Sequence, residues 1–186
     1  ANEPIQQAAT AADVYKFLSG NTLSGEYFLV ENRQKAGFDA GLPGSGLLVW
    51  HIDGDTISSK MNANTVNDYE CYPGGPSCST GHYGVALVQA DNLWELEKNI
   101  DRGDGGDPFP GSTGKTSFTD SSSPNSRFYN GTPSNVSITG ISASGPTMTA
   151  TLSLPIIPHF EEDHPAIQYS GNWAVYNCAS CSGGAR

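Results

Sequence analysis

Thr147-Met148-Thr149-Ala150-Thr151-Leu152-Ser153-Leu154 alternates apolar and hydroxyl side chains without a break. Successive side chains of a strand point to opposite faces. Met148, Ala150, Leu152 and Leu154 therefore share one face, and Thr147, Thr149, Thr151 and Ser153 share the other. One dry face and one wet face define a half-buried strand of an antiparallel sheet. Just upstream, Asn135 to Ile141 supplies its hairpin partner across the turn around Gly145-Pro146. Just downstream, prolines at 155 and 158 break the pattern, so residues 155–158 read as a linker. Residues 159–186 begin a second module with Ile167, Tyr169 and Trp173 as apolar anchors, too short for a core of its own. The chain reads as cut short.

The same sheet logic extends toward the N-terminus. Val14 to Leu18 is a candidate strand, after a polar lead-in or short helix over residues 1–12. Glu26-Tyr27-Phe28-Leu29-Val30-Glu31 is aromatic and β-branched and follows Gly25, the signature of a strand. Leu47-Leu48-Val49-Trp50-His51-Ile52 and Gly84 to Ala90 are continuous apolar runs, which predict strands covered on both faces. Residues 54–82 are polar and read as a long excursion loop, and residues 101–134 lack apolar periodicity. Asn92-Leu93-Trp94-Glu95 fits a capping box opening a short helix to about Ile100. The sum is a mainly β chain with few short helices (α+β), antiparallel strands, long loops and the start of a second β module.

Composition narrows the classes of function. Charged residues make up 15% of the chain, under the roughly 25% usual for globular domains. Gly 22 and Pro 12 favour short strands joined by turns over a helical bundle. Acidic residues outnumber basic ones 19 to 9, for a net charge of −10. Such a surface repels phosphate, which excludes nucleic acid as a partner and favours a divalent cation. No apolar run approaches the roughly 20 residues of a membrane span.

Low charge, many small polar residues and four cysteines together predict a secreted, extracellular protein, with Ala1 as a processed start. Cys71 and Cys78 bracket a loop rich in turn formers, and Cys178 and Cys181 form a Cys-x-x-Cys pair. Two local disulfides are the favoured reading, the first closing a loop of about eight residues for roughly 2.5 kcal/mol. A redox pair at 178/181 and a zinc site using Cys71, Cys78 and His82 are the alternatives.

Longer strings carry a resemblance. Glu26 to Gln34, Gly37-Phe38-Asp39, Leu42-Pro43-Gly44 and Gly46 to Asp53 are followed in order by Val85 to Asp91, Gly103-Asp104, Gly106 to Gly111 and Pro124-Asn125-Ser126. Over residues 13–154 the chain resembles secreted bacterial metallopeptidases of the immune inhibitor A type. Gln168 to Trp173 looks like the opening of the β-sandwich module that often follows. The resemblance implies that residues 1–154 form the half of the peptidase region lying after the zinc motif. That motif, a helical His-Glu-x-x-His, supplies two metal ligands and a general base. Here His51, His82, His159 and His164 are followed by Ile, Tyr, Phe and Pro. The chain alone is therefore expected to be inactive, with zinc held only by a missing catalytic half. That half, or another extracellular protein chain, is the expected partner. An extracellular binding module that self-assembles or docks to surface partners is the alternative.

Two constellations could hold chemistry. Glu97, Asp101, Asp104 and Asp107 lie in or beside a glycine-rich acidic loop, Asp101-Arg102-Gly103-Asp104-Gly105-Gly106-Asp107. Calcium takes six to eight oxygens, which such a loop can wrap around one ion; a solvated acidic loop is the plainer reading. The resemblance favours calcium. His51, Asp53 and Asp55 end a buried strand and could line the rim of a cleft as substrate or ion contacts. The favoured reading is a strand-end His–Asp pair satisfying its own hydrogen bonds. Gly111-Ser112-Thr113-Gly114-Lys115-Thr116 resembles a phosphate loop, but Phe109 stands where its first glycine belongs.

Overall fold

A computed structural model describes residues 2–18, 25–68, 72 and 82–153. The elements are β1 (Asn2–Gln6), β2 (Val14–Leu18), β3 (Glu26–Arg33), β4 (Gly46–Asp53), α1 (Gly54–Lys60), β5 (Val85–Leu87), β6 (Ser117–Phe118), β7 (Ser137–Thr139) and β8 (Thr147–Ser153). They form two four-stranded sheets, β1-β8-β7-β6 and β2-β3-β4-β5. Every strand pair within them is antiparallel. The mainly β, antiparallel architecture expected from the alternation is the one observed. None of the described helices is long and apolar enough to cross a membrane.

The core lies between the sheets and follows the period of two. From β8 come Met148 and Ala150, both fully buried, with Leu152 packed at the margin. From β3 and β4 come Phe28, Val30, Leu47 and Val49. Phe118 sits edge-on to Phe28, with ring centroids 5.3 Å apart, and to Phe109 at 5.9 Å, so one aromatic cluster ties the sheets together. Each such ring removed from water stabilises the fold by about 2–3 kcal/mol.

One polar side chain joins the sheets from inside. Asn32 is fully buried. Its Nδ2 donates to the carbonyls of Ile5 and Gly145, each at 3.0 Å, and its Oδ1 accepts from Gln34 Nε2 at 2.7 Å. A buried amide costs little when its bonds are made and 1–3 kcal/mol when they are not.

Several local expectations change. The lead-in contains strand β1, with Ile5 opposite Met148, because β8 offers an edge that the N-terminal segment can pair with. The loop from residue 54 opens with α1. Asp53 caps it, its Oδ1 accepting from the backbone N–H of Asp55 and Thr56 at 2.9 and 3.1 Å. The strand expected over 84–90 narrows to Val85–Leu87. Residues 92–100 form turns instead of a helix, since Asn92, Trp94 and Asn99 all take positive φ. Leu48 and Trp50 are half-buried, so β4 is fully covered on one face only. All four cysteines, the linker and the second module fall outside the described residues.

Candidate functional site

The acidic loop is anchored from two directions. Leu47 and Phe109 exchange both backbone hydrogen bonds, at 2.8 and 2.9 Å, which pins the loop's end to β4. On the other side Ala90 N donates to Asp107 O at 2.8 Å and Asp91 N to Gly106 O at 3.1 Å. The segment leaving β5 thus runs alongside the loop and adds Asp91 to it.

Carboxylate oxygens of Asp91, Asp104 and Asp107 lie within 4.8 Å of one another, as do those of Glu95, Asp101 and Asp104. Asp104 belongs to both groups. Backbone N–H groups shape the turn: Gly103 donates to Asp101 Oδ1 at 2.9 Å and Asp104 to Asp107 Oδ2 at 2.7 Å. A Cβ on Gly106 would run into the carboxylates of Asp91 and Asp104, so only glycine leaves them room to converge. Burial, opposed by the Asp104 N–H and reinforced by the charges of Asp91, Asp104 and Asp101, pushes Asp107 up to about 6. Partial burial, then Asp101, Asp104 and Asp91, raise Glu95 as well. The donors are oxygens alone, and they fit a hard cation such as calcium better than zinc.

Of the four acids read from the sequence, Asp104 meets Asp107 in one group and Asp101 in the other. Glu97 does not join either group; it accepts from Gln89 Nε2 at 2.7 Å, and burial raises its carboxyl. Asp91 and Glu95 take its place. Gln89 holds Glu95 as well, its Oε1 accepting from the Glu95 backbone N–H at 2.8 Å.

His51 and Asp53 both point inward from β4, being two residues apart, yet they do not pair with each other. The expected His–Asp pair is replaced by two separate pairs. His51 Nε2 bonds to Glu26 Oε2 at 2.8 Å, and the same oxygen accepts from the backbone N–H of Tyr129 at 2.9 Å. His82 Nε2 bonds to Asp53 Oδ2, which also accepts from Thr56 Oγ1 at 2.9 Å. Burial acts to raise the Asp53 carboxyl, but hydrogen bonds from His82 and Thr56 outweigh it and hold the carboxyl below the ordinary aspartate range. The rings stack as a ladder, Phe28 on His51, His51 on Tyr129 and Tyr129 on His82, with centroid spacings of 4.4, 4.1 and 4.2 Å. Asp55 is exposed in the first turn of α1, its carboxylate against Gly25.

Glu26 and Tyr129 had no signal in the sequence as site residues, and His82 had one only as a zinc ligand beside Cys71 and Cys78, since each reaches the ladder from a distant segment. Asp91 had a weak one, as an acid directly after a buried run. Searches of protein families, of curated proteins and of solved structures find no match to this chain.

Proposed function

We propose that this chain is the non-catalytic portion of a secreted metallopeptidase of the immune inhibitor A type, forming one wall of its cleft around a structural calcium site. The observation that carries the reading is the acidic loop. Five carboxylates from two segments form two groups that share Asp104, with Gly106 leaving room for those of Asp91 and Asp104. Further support comes from adjacency. The strings that carry the resemblance lie side by side, β3 against β4 and β4 against β5, with Phe109 bridged to Leu47.

Asp91, Asp104 and Asp107, with Glu95 and Asp101, would hold the calcium; the ion would neutralise charges that otherwise repel at the end of the sheet. The ladder of His51, Tyr129 and His82 keeps the end of β4 rigid. No histidine here is followed by glutamate, so zinc and the proton acceptor would come with the other half of the peptidase.

The test uses the purified chain. Alone, with zinc and calcium supplied, it should leave casein intact, and millimolar calcium should raise its melting temperature by several degrees. Zinc-dependent proteolysis by the chain, free of other polypeptides, overturns the first half of the proposal; an unchanged melting temperature overturns the second. A binding module is the second reading. It is favoured by a hollow of about 270 Å³ on the outer face of β3, β4 and β5, walled by Leu42, Leu48, Trp50, Leu87 and Leu96. Self-association in sedimentation, lost in Trp50→Ser, would support that reading over the first.

A further inference from the structure

A second hollow, of about 430 Å³, lies on the His51 side of the ladder. Val88 and His51 contribute to its floor, the 92–98 turn forms one wall and the 124–131 loop the other. Asn92 Nδ2 donates to Ser123 Oγ at 3.4 Å and links the walls. Its size suits a small organic ligand.

The charge of this hollow is opposite to that of the chain. Among the described residues that line it there is no carboxylate, whereas Lys98 and Arg127 face it from opposite walls. Lys98 interacts through its charge with Glu95 on the same turn, whereas no carboxylate among the described residues pairs with Arg127. Arg127 donates from Nε to Asp120 O at 3.0 Å and from Nη1 to Gly131 O at 2.9 Å, which leaves Nη2 for a ligand. Lys98 Nζ donates to Leu93 O at 2.6 Å and sits 4.9 Å from the centre of the Tyr72 ring. The carbonyls and the ring face that hold these groups carry no countercharge of their own. Among the described residues neither makes an ion pair, in a chain with 19 acids and 9 bases.

Aromatic surface lines the same hollow. Trp94 and Tyr129 line the hollow, and Trp94 is held by its indole Nε1 donating to Asn92 Oδ1 at 3.1 Å. Trp94 adopts φ of 58°, a left-handed conformation that a bulky side chain rarely takes and that costs on the order of 1–3 kcal/mol. The backbone bears that strain while presenting an indole to the hollow.

We propose that this hollow is a binding site for a carboxylate carried next to an aromatic ring. The carboxylate is drawn by Arg127 and Lys98, and the ring stacks on Trp94. Two sources share that chemistry, the C-terminus of a peptide ending in an aromatic residue and a free aromatic acid. The site is distinct from the acidic loop, to which Lys98 is coupled through the charge of Glu95, and it does not rest on the proposed peptidase role.

The experiment is a two-dimensional ¹H–¹⁵N NMR titration of the full chain at low salt. The indole signal of Trp94 is assigned by its loss in Trp94→Phe. N-acetyl-L-phenylalanine represents the peptide end, phenylacetate the free acid, and N-acetyl-L-phenylalaninamide the same ring without charge. Saturable shifts of the Trp94 signal are expected with at least one acid, and about tenfold weaker binding is expected for the amide. Lys98→Gln and Arg127→Gln should each weaken the acid by a similar factor. Since Arg127 and Lys98 each brace their own loop, the comparison of acid with amide on the unaltered chain is the decisive one. Tighter binding of the peptide mimic than of phenylacetate assigns the peptide source, and the reverse assigns the free acid. Absence of saturable shifts with either acid, equal affinity for the amide, or wild-type affinity in a folded Lys98→Gln protein overturns the proposal.

Discussion

Replacing Asp107 with asparagine should flatten the pH dependence of stability in the calcium-free chain and remove its response to calcium. The Asp107 carboxyl titrates near 6 in the fold against an ordinary value of 3.8. The folded state therefore binds this proton more tightly than the unfolded chain does. Stability from this group is fully present below about pH 4 and is lost as pH rises through about 6. The shift alone corresponds to about 3 kcal/mol, and solvent screening at the open side of the loop brings it nearer 2 kcal/mol. Calcium takes the ionised carboxylates, so it acts at the opposite end of the range. At a hundredfold excess over its dissociation constant it contributes about 2.7 kcal/mol. Urea denaturation at about pH 4.5, 6 and 7.5, in EDTA and in calcium, measures both effects. Glu95 and Glu97 are raised too and contribute with the same sign, so the comparison of wild type with Asp107→Asn isolates the one carboxyl. If the variant keeps the full loss of stability between about pH 5 and 7, burial of Asp107 is not its cause. If it keeps the calcium gain, Asp107 is not a ligand.

Asp53→Ala removes the cap of α1 and the partner of His82, and should cost about 1–2 kcal/mol by urea denaturation at neutral pH. Because the Asp53 carboxyl is held low, its stabilisation is present above the ordinary aspartate range and is lost as pH falls through its folded value; the variant should lack that acid-side loss. Phe118→Ala empties the centre of the aromatic cluster between the sheets and should cost about 3–5 kcal/mol in the same measurement. Asn32→Ala leaves the Ile5 and Gly145 carbonyls without their donor, and a loss of about 1–3 kcal/mol is expected, with earlier hydrogen exchange along β1.

The legible parts of this protein are those in which neighbours in the chain are neighbours in space. Alternation in 147–153 is a local property, and the observed burial of Met148 and Ala150 follows it. The apolar runs at 26–31 and 47–52 are likewise strands, because a buried face demands side chains that no long-range contact has to supply. Asp101 and Asp107 each approach Asp104 because the three lie three residues apart in one glycine-rich turn. Where the reading departed from the fold, a distant partner intervened. Residues 2–6 are polar enough to pass for a lead-in, yet β8 presents a free edge and recruits them. The 92–98 segment carries helix-start residues, but Gln89 and Asp91 capture its N–H groups through Glu95 and Leu93 and hold it in turns.

The candidate sites divide along the same line. Sequence alone determined the strands β2, β3, β4 and β8, the strong acidity and the glycine-rich turn that carries three of the clustered carboxylates. Tertiary structure decided that Asp91 and Glu95 complete that cluster, that His51 and Asp53 take partners from β3 and from residue 82, and that two cations in an acidic chain face one hollow. Backbone periodicity and turn chemistry act over a few residues, so sequence carries them directly. Side-chain pairing depends on which strands lie side by side, and that is set only once both sheets have closed over the core.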